Sequence, residues 1–340
     1  MKKRIVFVLT LVLVSMLVFA ACGSSGTGDA PAANDTESSA PADTSTPADS
    51  SGAALRIGMI NAFSTAPYCA PLNAAAQIRA DELGVDLQLV DGKADNQVML
   101  DQAKSFIEQK VDGIILFPAD MVGSVAIVKA ISESGIPLVI CNSRVDASVE
   151  DLAVTLICAD LVNEGRVIGA MMAEMFPEGG KCAIIEGFPG TDAQIARTTG
   201  FEEGIAGSSI EIVQQMTGDW DRAKAMSVAD DFITSIPDLA FIYAQDDTMA
   251  LGAVEAVKAA GKLDQIKVFG IGYMGDEVKE SIKAGELYGT VTQSPSFEGA
   301  NSIQAMVDAI NGKELPAWIM TENIPVTPEN VDQVDHGYNF

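Results

Sequence analysis

The chain has 340 residues, a formal net charge of -26 and a hydrophobic fraction of 48%. That is enough apolar material for two lobes of ordinary domain size. The acidity argues against nucleic acid as a partner, because its phosphates would be repelled. The single histidine, His336, excludes a histidine-based triad and an H-E-x-x-H zinc site.

The first segment stands apart from the rest of the chain. Met1-Lys2-Lys3-Arg4 is basic, and Ile5 to Ala21 is a charge-free apolar run ending in small residues, with Cys22 directly after it. This order reads as a signal peptide over residues 1–21. Phe19-Ala20-Ala21-Cys22 resembles a lipobox with Phe in place of the usual Leu, which implies cleavage before Cys22 and lipid attachment to its thiol. A run of this length would also suit an uncleaved membrane span. Residues 22–53 consist almost entirely of Gly, Ser, Thr, Ala, Pro and Asp, with no aromatic or large aliphatic side chain. They cannot bury enough apolar surface to offset ordering, so a disordered tether is expected.

From Leu55 the chain alternates short β-branched runs with helical patterns. Strands are predicted over Leu55–Ile60, Val85–Val90, Gly113–Phe117 and Pro137–Cys141. Between them lie helices over Leu72–Leu83, Val98–Gln109 and Val122–Ser134, two of them stopped by Gly84 and Gly135. In the second half the predicted strands are Lys181–Glu186, Ile210–Met216, Leu239–Tyr243, Lys267–Ile271 and Tyr288–Thr292. The helices there are Ala193–Ala206, Arg222–Ser235, Met249–Ala259 and Glu277–Lys283. Apolar strands each followed by a helix indicate parallel sheets covered on both faces. The halves also echo one another. Gly113 to Asp120 leads into a helix containing Lys129-Ala130 and ending at Gly135, and Ala240 to Asp246 leads into one containing Lys258-Ala259 and ending at Gly261. The expected fold is therefore α/β, with two similar doubly wound parallel-sheet lobes. Ligands of open α/β sheets bind outside the carboxyl ends of the strands, which two facing lobes would gather into one cleft.

Several local patterns admit a bland reading. Cys69, Cys141, Cys158 and Cys182 match no compact disulfide scaffold or metal motif, and Cys141 and Cys182 read as buried hydrophobes. In Asp246-Asp247 a helix cap is assigned to Asp247, leaving Asp246 for a ligand. Gly270 to Gly275 spells G-x-G-x-x-G, but it comes late and lacks the acidic residue found downstream in dinucleotide sites. Its glycines are read as a tight turn at the cleft edge.

The sequence resembles the periplasmic sugar-binding proteins of the ribose- and galactose-binding class. The resemblance rests on Ile57-Gly58, Pro67-Tyr68, Gly135-Ile136-Pro137, Asn163-Glu164-Gly165, Arg197 with Gly200-Phe201, Trp220 to Lys224 and Gln245 to Gly252, in that order. It implies the type I periplasmic-binding-protein fold, two lobes joined by a three-segment hinge and closing around ligand. The first lobe would comprise 54–157 plus 293–323 and the second 158–292 plus 324–340. It also implies ligand contacts at Tyr68, Asn142, Asp192, Arg197, Trp220, Asp246 and Gln293, with Arg144 substituting for an arginine that Ser143 replaces. Cys69 and Ala66 depart from the family, and so does Gly272, where an aspartate is usual. These residue types suit sugars: Arg forks and Asp or Asn grip hydroxyls, and aromatic rings stack on C–H faces.

Together these features describe an extracytoplasmic, lipid-anchored solute-binding protein, neither an enzyme nor a user of metal or cofactor. It would be a monomer that captures a monosaccharide or related polyol and delivers it to ABC permease subunits. The alternatives are a sensor presenting its ligand to a chemoreceptor or sensor kinase, and an extracellular glycosidase using two carboxylates.

Overall fold

The computed structural model describes residues 54–338. The expected signal segment, the lipidation at Cys22 and the tether over 22–53 lie outside the described residues. The first half runs β1 Arg56–Asn61, α1 Cys69–Leu83, β2 Asp86–Asp91, α2 Asn96–Gln109, β3 Gly113–Phe117, α3 Met121–Ser134, β4 Leu138–Cys141 and β5 Thr155–Ile157. The second half runs α4 Leu161–Met175, β6 Gly180–Glu186, α5 Asp192–Gly204, β7 Ile210–Thr217, α6 Arg222–Ser235, β8 Leu239–Ala244, α7 Asp247–Ala259, β9 Lys267–Phe269, α8 Asp276–Lys283 and β10 Leu287–Val291. The chain then continues through α9 Pro295–Ile310, β11 Trp318–Ile319 and β12 Pro325–Val326.

The strands form two six-stranded sheets, ordered β11-β5-β4-β3-β1-β2 and β12-β10-β9-β8-β6-β7. Pairing is parallel throughout except for β12, which lies antiparallel to β10. β3, β4 and β5 are buried along their whole length, as strands covered by helices on both faces must be. Because the two orders correspond strand for strand, the internal echo in the sequence is a structural repeat. Among the described residues the chain passes between the sheets three times: from β5 to α4, from β10 to α9, and from β11 to β12.

Local chemistry sets the helix ends. The Asp95 carboxylate accepts the N–H groups of Gln97 and Val98 at the head of α2, Asp120 accepts that of Gly123 at α3, and Gly84 and Gly135 close α1 and α3 in the left-handed conformation. α1 begins at Cys69, a turn before the predicted Leu72. Pro71 is tolerated there because the first helical N–H groups have no partner within the helix. The cap at α7 corrects the sequence reading: Asp246, not Asp247, accepts the Met249 N–H at 2.7 Å. Asp247 is fully buried instead, with its oxygens taking the Thr290 hydroxyl at 2.8 Å and the Met274 N–H at 3.0 Å. It thereby ties the Gly270–Gly275 turn to β10. A Cβ at Gly270 would lie 2.0 Å from that carboxylate, which is why a glycine stands there.

Candidate ligand-binding site

The carboxyl ends of the two sheets face one another across a cavity that leaves about 70 Å³ to the centre of a water molecule, several times what one water needs. On the first-lobe side it is lined by Phe63, Ala66, Pro67, Tyr68, Cys69 and Phe117, with Asn142 and Ser143 at the end of β4. Thr191, Ala193, Arg197, Trp220 and Asp246 form the opposite wall, and Gln293 lies beside the β10–α9 crossing.

The loop from β1 to α1 is organised by Asn61, which is fully buried. Its side-chain oxygen accepts the Phe63 N–H at 2.9 Å and its amide donates to Asn73. Tyr68 does not aim its hydroxyl at the cavity. That group donates to Glu298 Oε2 at 2.9 Å, and the Asn142 amide donates to the same oxygen at 2.8 Å. Asn142 sits in the left-handed region at φ 66, a conformation that asparagine tolerates better than most residues. Glu298 is fully buried and its second oxygen has no partner. Burial pushes its carboxyl up to about 7 against the lowering effect of the Asn142 and Tyr68 bonds.

Across the cleft, Arg197 is held on three sides. Its Nε donates to Glu164 at 2.8 Å, one terminal nitrogen to the Gln245 carbonyl at 2.7 Å, and the other to Gln293 Oε1 at 3.0 Å. Burial alone would lower the Arg197 pKa, but the adjacent Glu164 carboxylate outweighs it and holds the guanidinium charged. Burial raises the Glu164 carboxyl despite the arginine beside it. The guanidinium carbon lies 5.8 Å from the Trp220 ring centre, within cation–π range. Trp220 takes a left-handed backbone at φ 58 and lies over Gly187, where a Cβ would come within 1.8 Å of the indole. Asp246 lines the cavity, its second oxygen outside the bond to Met249, and burial pushes its carboxyl up to about 6.

Six of the residues anticipated from sequence therefore line one cavity: Tyr68, Asn142, Arg197, Trp220, Asp246 and Gln293. Two do not. The Arg144 side chain turns to Glu150, 3.2 Å away, and lies over Trp318. Asp192 is buried and accepts the Arg144 backbone N–H at 2.8 Å, so this pair joins the lobes instead of presenting charge to the cleft. Sequence reasoning missed Glu298, which organises the first-lobe wall. It passed over Glu164 as a site residue, and over Phe63, Phe117 and Thr191 in the lining. A signal for the glutamates was present. Glu164-Gly165 stands four residues beyond the cap Asp160, and Glu298-Gly299 four beyond the cap Ser294. Cys69, Cys141, Cys158 and Cys182 are buried free thiols. Among the described residues no cluster of His, Cys, Asp or Glu could hold a metal ion.

Residues 57–314 match the family described as periplasmic binding protein domain. The ribose import binding protein of Bacillus subtilis is 30% identical over 255 residues, covering 74% of this chain and 81% of that protein. The D-allose-binding periplasmic protein of Escherichia coli is 30% identical over 259 residues, 74% and 83% of the two chains. Among solved structures, an ABC transporter solute binding protein from Bacillus halodurans with bound myo-inositol superposes with a TM-score of 0.78 at 30% identity, covering 84% of this chain and 98% of that one. With two lobes of parallel sheet, a cavity between their strand ends and a family match over most of its length, this chain belongs to the periplasmic binding protein family.

Proposed function

We propose that the protein captures a monosaccharide or polyol in the interlobe cavity and delivers it to an ABC importer. The observation that carries this reading is Arg197. A guanidinium fixed by Glu164, Gln245 and Gln293 beside an indole keeps two N–H groups for a hydroxylated ligand at no cost in reorganisation. Asp246 adds an acceptor, Gln293 an amide donor and Trp220 a stacking face. The named relatives, which bind ribose, allose or myo-inositol, support the same ligand class. In this reading the first lobe is 54–157 with 293–323 and the second 158–292 with 324–340, residues 1–21 are cleaved, and a lipid on Cys22 holds a monomer at the outer face of the cytoplasmic membrane.

A thermal-shift screen of the purified protein against monosaccharides, polyols, nucleosides and amino acids tests the ligand class. Binding to the folded state alone raises the melting temperature by mass action. Sugar or polyol hits that Asp246→Asn weakens are expected, since Asn preserves the helix cap while altering the acceptor. Hits confined to amino acids or nucleosides would overturn the class. Labelled palmitate should enter the wild-type chain and not Cys22→Ala.

A further inference from the structure

The two walls of the cavity differ in what they offer a ligand. On the second lobe and at the crossing, Arg197 retains two N–H groups, Asp246 one oxygen and Gln293 its amide nitrogen beyond their bonds within the protein. Of the stretch from Phe63 to Cys69, the residues that line the cavity, Phe63, Ala66, Pro67, Tyr68 and Cys69, offer no uncommitted side-chain donor. The two polar side chains among them donate inside the protein, the Tyr68 hydroxyl to Glu298 and the Cys69 thiol to Asn61. Three backbone N–H groups of the stretch are turned inward too, Phe63 N–H on Asn61, Ala66 N–H on the Phe63 carbonyl and Cys69 N–H on the Ala66 carbonyl. Phe117 extends the same wall, its ring edge-on to Phe63 at 5.8 Å. A hydroxyl pressed against these side chains would give up its water partners and find no free side-chain donor in return.

We infer that the ligand carries an edge without a hydroxyl, as a deoxy sugar does, and turns that edge to the Phe63–Cys69 wall while its hydroxyls meet Arg197, Asp246 and Gln293. This rests on the sugar-capture reading and narrows it. An apolar wall rewards a methyl or methylene by burial, and the opposite wall gives the remaining hydroxyls direction.

Calorimetry of the purified protein with three matched pairs tests the inference: D-fucose against D-galactose, L-rhamnose against L-mannose, and 5-deoxy-D-ribose against D-ribose. In each pair that binds, the deoxy member should bind about tenfold more tightly, the consequence of one buried hydroxyl left without a partner. Ala66→Asn, which places an amide on the half-buried apolar wall, should bring that ratio to about one or below. Equal or tighter binding of the hydroxylated members would overturn the inference and leave sugar capture standing. So would a deoxy preference that Ala66→Asn leaves unchanged. Failure of all six sugars and of the wider sugar and polyol panel would remove the sugar reading, and the inference with it.

Discussion

Phe63 and Phe188 stack on one another across the cleft, with ring centroids 5.7 Å apart and planes 16° from parallel. Each stands two residues beyond the first strand of its sheet, β1 ending at Asn61 and β6 at Glu186. Equivalent positions of the structural repeat thus meet face to face. Beside them the Met121 N–H reaches the Gly190 carbonyl and the Arg144 N–H reaches Asp192. These contacts join the two lobes directly. Phe188→Ala is expected to favour separated lobes and weaken ligand binding roughly two- to tenfold, the value of one aromatic pair. Small-angle scattering of the ligand-free protein should then show a larger radius of gyration than wild type. An unchanged radius and affinity would show that the pair does not hold the cleft shut.

Arg197→Ala should cost stability as well as affinity. It leaves Glu164 buried and unneutralised, a loss of about 3–5 kcal/mol for a broken buried pair. Adding Glu164→Gln should restore part of the melting temperature without restoring ligand binding. Chemical denaturation and calorimetry of the single and double variants separate the two effects.

Stability should fall as pH rises from 5 to 8. Burial raises Glu298 and Asp247 to about 7 and Asp246 to about 6, above the 4.5 and 3.8 of free carboxyls. The folded state therefore binds more protons than the unfolded state between about pH 4 and pH 7. The resulting stabilisation is fully present below the unfolded values and lost as pH passes the folded ones. Acids lowered in the fold, such as Asp332 beside Lys279 and Lys283, act only below about pH 4 and leave this window alone. A melting temperature roughly 5 °C higher at pH 5 than at pH 8 is expected, and Glu298→Gln should flatten the profile. A stability that rises across this range would contradict the assignment.

Two glycines separate packing from binding. A Cβ at Gly299 would lie 2.0 Å from the Leu72 carbonyl oxygen, where α9 crosses α1. Gly299→Ala should therefore cost about 2 kcal/mol or more by overpacking. At Gly187 the clash is with the Trp220 indole, so Gly187→Ala should displace that ring, shift its fluorescence and abolish ligand binding at a smaller loss of stability.

The fold was legible because the repeating pattern is strong. Gly113–Phe117 and Arg222–Ser235 have the bounds the sequence predicts. Helix α9 was not predicted, and most of the other elements without a prediction have physical reasons for hiding. β5 has three residues, and β11 and β12 two each, too few to show a period. In α4, Gly165 and Gly169 depress helix propensity, yet they let the backbone of α5 approach, with a Cβ at Gly165 only 2.2 Å from the Arg197 carbonyl oxygen. At the site, six of the residues that line the cavity could be named from their resemblance to a family, while Thr191 was passed over. Glu298 was passed over despite its place four residues beyond a cap, because a glutamate early in a helix ordinarily reads as a solvated, dipole-favoured charge, whereas the fold buries it beside Tyr68 and Asn142. Arg144 shows the converse: a cation beside the expected position that finds Glu150 nearer than the cleft.

The three passages between sheets have a consequence for the order in which the chain can acquire its shape. α9 lies against α1, and its Ile303 and Met306 belong to the same apolar cluster as Met59, Leu72 and Ile115. β11, later still, forms an edge of the first sheet. The lobe begun first is therefore finished almost last, after the whole of the second sheet except β12 has been synthesised. Contacts of such long sequence separation slow folding and keep the face of α1 open while the chain is still emerging. Neither lobe corresponds to one continuous stretch of sequence, so a truncation after β10 would strip the first lobe of a helix and a strand while the second lost β12 and the following segment that packs Val331 into its core.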